Sequence, residues 1–145
     1  MAEPTTHILR VSLKPRLYRD MEVDSRRSLY ELADAITRAF GFDFDHAFGF
    51  FSRLTGRVFD SPVRYERYAD QEPGGRSRYA KQTSIARALP RIGSKMLFLF
   101  DYGDEWRFRV EVRDLDTLSP GDGSPKVTAV VGKAPQQYSS VADAN

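Results

Sequence analysis

Cysteine is absent from the 145 residues of this chain. That absence excludes disulfide bonds, thiolate zinc sites, cysteine-ligated iron–sulfur clusters and a cysteine nucleophile. Histidine is scarce too, because His7 and His46 are the only imidazoles. A zinc site usually needs about four ligands from cysteine, histidine, carboxylate or water. We therefore predict no metal and no cofactor.

Long apolar segments are missing as well. The longest strongly apolar run is residues 96–100, far shorter than the roughly 18 residues that a membrane-spanning helix requires. Residues 1–6 show neither the basic nor the apolar segment of a signal peptide. These features predict a cytoplasmic protein that does not engage a membrane.

What the chain does have is enough material for one core. Its length is typical of a single domain, and 41% of its residues are hydrophobic. We predict one domain over residues 1–138. The small, polar residues that follow, 139–145, predict a disordered tail.

The first third of the chain predicts a strand hairpin followed by a helix. Apolar residues alternate with polar ones over residues 6–13 and 17–23, and Pro15 lies in the turn between them. Ser28 and Glu31 have the spacing of a capping box. Apolar residues then recur at helical spacing over 29–40, and Gly41 predicts the end of the helix.

The remainder of the chain predicts an α+β fold. The expected elements begin with strands at 47–53 and 57–60 and a long loop over 61–82. A short helix over 83–89, capped by Thr83, follows. The chain then forms a hairpin of strands at 96–100 and 105–113 and a last strand at 126–131. The apolar run 96–100 predicts a central strand, and the alternation after it predicts a buried Trp106. We expect a mixed, mainly antiparallel sheet with one main helix packed on a face, and a β-grasp-like start.

Several motifs resemble one known family. Residues 15–19 (PRLYR) are similar to a proline, aliphatic, tryptophan, arginine motif, and residues 40–43 (FGFD) to a Phe-Gly-Trp-Asp helix exit. The most specific match is residues 100–106 (FDYGDEW), which resemble a Tyr-Asp-Phe-Gly-Asp-Gly-Trp hairpin. These motifs, spread over residues 15–138, resemble the plasmid pRiA4b ORF-3-like family. That family has a recognisable fold without an assigned reaction, and its plasmid context implies a link with mobile genetic elements.

The chain also departs from that family. His46 corresponds to the first histidine of a His-x-His pair, but Phe48 stands where the second often lies. Phe108 replaces a further histidine that often follows the tryptophan, and the cysteine-bearing C-terminal segment of many relatives is absent. If relatives use those groups for a metal, this chain has kept only His46 and nearby acids.

Three side chains are candidates for catalysis: Asp101, Asp104 and His46. Carboxylates and an imidazole suit general acid–base chemistry or a metal-dependent reaction. The alternative is turn chemistry, in which Asp101 caps the turn, Gly103 takes a positive φ and Asp104 accepts backbone amides. Tyr102, Trp106 and Asp43 are candidate ligand-binding residues. The alternative for Asp43 is a polar loop bonded to backbone.

A cluster of aromatic residues follows the helix. Core packing explains it, and an aromatic binding surface is the alternative. The cluster consists of Phe40, Phe42, Phe44, Phe48, Phe50 and Phe51.

A basic segment precedes an acidic one. Residues 73–100 contain six basic and no acidic residues, whereas residues 101–122 contain seven acidic and three basic ones. Within the first segment Arg76, Arg78, Lys81 and Arg87 are candidates for nucleic-acid binding, which needs such charges clustered in space. The alternative is a solvated loop that compensates the acidic segment.

These patterns lead to one preferred function and two alternatives. We expect a small interaction module without enzymatic activity, whose partner is a protein. A hydrolase-like or metal-dependent enzyme using Asp101, Asp104 and His46 is the first alternative. Nucleic-acid binding through residues 76–87 is the second.

The scarcity of ligands predicts that the purified chain binds no transition metal tightly. Elemental analysis of protein prepared without a histidine tag or chelator should find well under one transition metal per chain. A stoichiometric metal that survives dialysis and is lost on His46→Ala would contradict this prediction and would favour the enzyme alternative.

Overall fold

A computed structural model describes residues 4–67, 78–117 and 123–138. Arg76 and the predicted tail at 139–145 lie outside these residues. The elements, in chain order, are β1 (Thr6–Lys14), β2 (Leu17–Asp24), α1 (Leu29–Ala39), β3 (Phe48–Phe51), β4 (Arg64–Glu66), β5 (Arg78–Tyr79), α2 (Ile85–Ala88), β6 (Lys95–Phe100), β7 (Trp106–Asp116) and β8 (Lys126–Val131).

The strands form one mixed sheet in the order β5-β4-β3-β6-β7-β1-β2-β8. All neighbouring strands are antiparallel except β4 and β5, which are parallel. The predicted α+β class and the central position of the apolar strand, now β6, are confirmed. The β-grasp-like start stays a prediction.

Helix α1 begins where the capping box predicts. The Ser28 hydroxyl accepts from the Glu31 amide at 3.1 Å, and the Ser28 amide donates to the Glu31 carboxylate at 3.3 Å. Two of the amides at the start of the helix are thereby satisfied. The helix ends at Ala39 with Phe40 as its C-cap, and Gly41 takes a φ of 74°. Its apolar face is fully buried on the sheet through Leu29, Leu32, Ala33 and Ile36.

The sheet face beneath α1 is built largely from phenylalanine. These side chains come from the adjacent strands β3, β6 and β7, and each is fully buried: Phe48, Phe50, Phe98, Phe100 and Phe108. Their rings contact one another at centroid distances of 4.8–6.2 Å. Core packing is thus the role of the aromatic cluster around β3, and no stacking surface is available from Phe48, Phe50 or Phe51.

Two local predictions between β3 and β5 are wrong. Residues 57–60 do not form a strand, because Val58–Asp60 is a 3-10 turn closed by a bond from the Ser61 amide to the Val58 carbonyl at 3.0 Å. The predicted loop over 61–82 contains β4, β5 and a 3-10 turn at Ala80–Gln82. These strands are too short for an alternation pattern, and pairing with the edge of β3 is what orders β4.

Two further predictions need correction. Ser84, not Thr83, caps the short helix α2, since its hydroxyl accepts from the Arg87 amide at 3.1 Å. The Thr83 hydroxyl instead donates to the Tyr79 carbonyl. Trp106 is half-buried rather than buried, because it is the first residue of β7 and lies at the end of the sheet.

His7 is a buried imidazole that ties β1 to the segment around α2. Its Nε2 lies 2.8 Å from the Leu89 carbonyl, so Nε2 carries the proton and donates. Its Nδ1 therefore accepts from the Ser25 hydroxyl at 2.7 Å. Burial lowers the pKa of His7, and the bond to Leu89 opposes that shift only in part. The folded state thus holds His7 neutral.

This neutral imidazole predicts acid sensitivity. Below a pH of about 6.5 His7 becomes protonated in the unfolded chain but stays neutral in the folded chain. The free energy of unfolding therefore decreases as the pH falls. The slope for one proton is at most about 1.4 kcal/mol per pH unit. In urea melts between pH values of about 7 and about 5, His7→Gln should remove the part of the pH dependence that comes from this imidazole. Ser25→Ala should keep it, because the imidazole is still buried. An equal slope in wild type and His7→Gln would show that His7 does not resist protonation.

Candidate functional site

The β6–β7 turn holds Asp101 in an unusual backbone conformation. Asp101 and Glu105 have positive φ angles of 65° and 54°, which are uncommon for residues other than glycine. One Asp101 oxygen, Oδ1, accepts from the amides of Gly103 and Asp104 at 3.0 and 3.2 Å. The turn prediction is therefore right for Asp101 and wrong for its neighbours: Gly103 is not among the positive-φ residues, and Asp101 rather than Asp104 accepts the amides.

The other Asp101 oxygen faces His46. His46 Nε2 lies 3.4 Å from Asp101 Oδ2 and 3.4 Å from Asp45 Oδ1. The sheet register explains the meeting, because Phe48 pairs with Phe100 and the Asp101 amide donates to the Ala47 carbonyl at 2.9 Å. The end of β6 and the loop before β3 are thereby held side by side.

The C-terminal segment completes this cluster. The Tyr138 hydroxyl lies 3.2 Å from His46 Nε2 and donates to Asp45 Oδ2 in a short hydrogen bond. Gln137 donates to the Asp43 carbonyl at 3.0 Å and accepts from the Asp43 amide at 2.6 Å. The bond with Tyr138 lowers the pKa of Asp45, and the same bond raises the pKa of Tyr138 to about 12. Near neutral pH Asp45 is thus an anion and Tyr138 a neutral donor.

The arrangement orients one imidazole for proton transfer. Three oxygens surround His46 Nε2, so the proton of a neutral ring belongs on that nitrogen and the lone pair on Nδ1. The His46 side chain is 35% exposed, whereas that of Asp101 is only 10% exposed. A carboxylate and the partly exposed histidine whose tautomer it fixes are two of the three members of a catalytic triad. No serine or threonine hydroxyl contacts His46 among the described residues.

The other predicted site residues do not join this cluster. Asp104 is exposed, and its carboxylate forms no ion pair within the described ranges. Tyr102 donates to Glu66 at 2.6 Å and packs against Phe59. Trp106 packs on Phe42 at 4.9 Å, and its indole N–H is buried without a partner in the described part of the chain. Asp43 contributes mainly backbone bonds.

Sequence reasoning missed the partners that come from the C-terminal segment. Asp45 is one of the acids near His46 that the sequence points to, but nothing in the pattern signals that Gln137 and Tyr138 return to this loop. Phe48 and Phe108, at positions where relatives often carry histidine, lie in the core. In the ranges 4–67, 78–117 and 123–138, no three His, Cys, Asp or Glu side chains are grouped to hold a metal ion.

The basic candidates lie elsewhere on the molecule. Arg78, Lys81 and Arg87 are exposed, and none forms an ion pair with a described carboxylate. The Lys81 ammonium lies 4.7 Å from the centre of the Tyr30 ring. Direct compensation of the acidic segment by these three side chains is therefore not observed.

A cleft between α1, β2 and β8 was not predicted from the sequence. It has a volume of about 590 Å³. Its apolar lining comes from β2, α1, α2 and the start of β8: Met21, Val23, Leu32, Ala35, Ala39, Ile85, Pro125 and Val127. A smaller cleft of about 290 Å³ lies near the β1–β2 turn. Neither cleft includes His46 or Asp101.

Comparison with known proteins agrees with this fold. The family model described as plasmid pRiA4b ORF-3-like protein matches residues 6–139. The chain belongs to this family. A crystal structure of a protein of unknown function from Methanosarcina mazei Go1 resembles this member with a TM-score of 0.70 at 18% sequence identity. The similarity covers 92% of this chain and 72% of the other and shows a shared fold. No curated protein is significantly similar to the chain.

Within the described ranges, no helix combines the length and the apolar character needed to cross a bilayer.

Replacement of Glu105 by glycine should stabilise the folded protein. The family hairpin has glycine where this member has Glu105, whose φ of 54° is strained for a residue with a Cβ atom. Glu105→Gly should raise the free energy of unfolding by about 1 kcal/mol in denaturant melts, although it loses the exposed ion pair with Arg107.

The matched control is Asp101→Gly at the other positive-φ position. It relieves similar backbone strain but removes the acceptor for two turn amides, so it should lower stability by roughly 1 kcal/mol or more. If both glycines shifted stability by the same amount, the side-chain contacts of Asp101 would not contribute to the turn.

Proposed function

We propose that the protein is a binding module that takes an extended, apolar segment of a partner protein along β8 and into the α1–β8 cleft. The observation that carries this proposal is a free sheet edge next to an apolar cleft. An added strand would form main-chain hydrogen bonds with β8, and its alternate side chains would enter the cleft.

The edge of the sheet supports the proposal. Among the described strands β8 pairs with β2 alone, so its outer N–H and C=O groups are open. It also presents two exposed valines, Val127 at 44% and Val130 at 65% exposure. Proteins usually blunt such edges with charge or shortness, as at the opposite edge, where β5 has only two residues. An exposed six-residue edge with two valines is therefore suited to pairing.

The cleft supports an apolar ligand. Its floor is made of aliphatic side chains from β2 and α1, whereas its charged rim is internally paired. Arg27 pairs with Glu31 at 2.7 Å and Arg38 with Asp34 at 3.1 Å, both one turn apart on the helix surface. The rim thus adds little net charge, and burial of apolar surface would dominate binding. The volume lies in the range of about 300–1,000 Å³ typical of ligand pockets.

The enzyme alternative has a specific observation in its favour but a weaker setting. His46 and Asp101 form an oriented pair, as a hydrolase would require. Neither of these two clefts contains the pair, so neither would enclose a substrate beside it. We rank catalysis second for that reason. The link with mobile genetic elements stays a prediction from the family's plasmid context.

Peptide selection tests the proposal. Peptides should be selected from a random display library against the folded chain, and the affinities of the best binders measured by fluorescence anisotropy. Val127→Asp places a carboxylate at the mouth of the cleft, where an apolar ligand would desolvate it. It should weaken binding at least about tenfold, equivalent to roughly 1.4 kcal/mol.

Val63→Asp is the matched control. It makes the same change at a valine of similar exposure, 40%, that lies outside β8 and does not line the cleft. It should change affinity by less than about threefold, under 1 kcal/mol. Selected peptides that bind both variants as tightly as wild type would show that the cleft is not the site. Concentration-dependent dimerisation lost in Val127→Asp would identify a second copy, rather than a partner, as the occupant.

A further inference from the structure

We propose that the surface formed by β5, the Ala80–Gln82 turn and α2 binds the phosphate backbone of a nucleic acid through Arg78, Lys81 and Arg87. This surface is distinct from the α1–β8 cleft, and the inference does not depend on the binding-module proposal.

The segment that carries Lys81 and Arg87 wraps the start of α1, and β5, which carries Arg78, directly precedes it. The Leu29 amide donates to the Thr83 carbonyl at 2.9 Å, and the Ile85 amide donates to the Arg27 carbonyl at 2.8 Å. An isolated bridge between Ser28 and Ser84 joins the same two segments. The start of α2 is thereby fixed against one end of a rigid helix, whereas β5 is held by its pairing with β4.

The charges on this surface are available for a ligand. Arg78, Lys81 and Arg87 are exposed and form no ion pair with any carboxylate in the described ranges. The acids at the start of α1 are already engaged, because Asp24 pairs with Arg26 at 3.0 Å and Glu31 with Arg27 at 2.7 Å. Among the described residues of this surface positive charge is therefore in excess, although the whole chain carries a net charge of only +2.

An aromatic ring lies among these cations. Tyr30 is half-buried, with the Lys81 ammonium 4.7 Å and the Arg67 guanidinium carbon 5.6 Å from its ring centre. Cations interleaved with aromatic rings are typical of surfaces that bind nucleic acids, where cations contact phosphates and rings stack on bases. Large apolar side chains are not exposed between residues 78 and 90 of this surface. A membrane-binding surface usually combines its cations with such side chains, so nucleic acid is the better fit.

The test is a salt titration with two matched triple variants. Arg78→Ala, Lys81→Ala and Arg87→Ala are combined in one variant. Arg16→Ala, Arg53→Ala and Arg109→Ala, which are exposed and form no ion pair with a described residue, are combined in the other. Both lose three positive charges, but only the first loses them from the proposed surface. Labelled single-stranded and duplex oligonucleotides are the probes, with fluorescence anisotropy as the readout.

The first variant should bind at least about tenfold more weakly than wild type at low salt, whereas the control should lose less than about threefold. The slope of log K against log salt should become shallower by about 2 for single strands or about 3 for duplex, in the first variant only. Equal losses in both variants, or no binding of either oligonucleotide by wild type, would overturn the proposal. Binding to anionic lipid vesicles without binding to oligonucleotides would also overturn it and would identify a membrane as the partner.

Discussion

A single buried guanidinium connects the helix and the two strands that enclose the α1–β8 cleft. Arg19 is only 5% exposed and is satisfied by carbonyl groups rather than by a carboxylate. Its Nε donates to the Ala39 carbonyl at 3.2 Å, and its Nη1 lies 3.0–3.1 Å from the carbonyls of Tyr18, Val131 and Gly132. The hydrogen bonds of this guanidinium thus link the last turn of α1, β2 and the end of β8. Because those carbonyls are the negative ends of their dipoles, a buried cation is stable there without an acid.

Both candidate regions depend on this connection. The α1–β8 cleft exists because α1 and β8 are held on either side of β2. The chain then leaves β8 at Gly132, whose φ of 84° and close approach to the Arg16 carbonyl, 2.6 Å from an added Cβ, require glycine. From that turn the segment runs to Gln137 and Tyr138, which bond the loop carrying Asp43, Asp45 and His46. The path of the chain after β8 therefore determines whether Gln137 and Tyr138 reach the loop that carries His46.

The side chains that could react and the apolar cleft lie in different parts of the molecule. This separation distinguishes binding from catalysis. The oriented His46–Asp101 pair lies at the end of β6, whereas the larger of the two clefts lies between α1 and β8. An enzyme usually places its reactive groups inside a concave site that excludes water. A binding module needs only complementary surface, which the apolar cleft and the open β8 edge supply. Because of this contrast we propose binding rather than catalysis.

The sequence by itself determined the elements whose signals are local. The Ser28–Glu31 capping box, the helix end at Gly41, the alternation of β1, β2 and β7, and the apolar run of β6 each act over a few residues, so each could be read directly. Elements that depend on distant partners could not. The three-residue β4 forms because β3 offers an edge, and Trp106 is half-exposed because it lies at the end of the sheet. Only the tertiary structure decided that Asp101 meets His46, that Tyr138 returns to Asp45 and that α1 and β8 enclose a cleft. Those contacts join residues far apart in the chain and arise from strand register and helix packing, which no local spacing encodes.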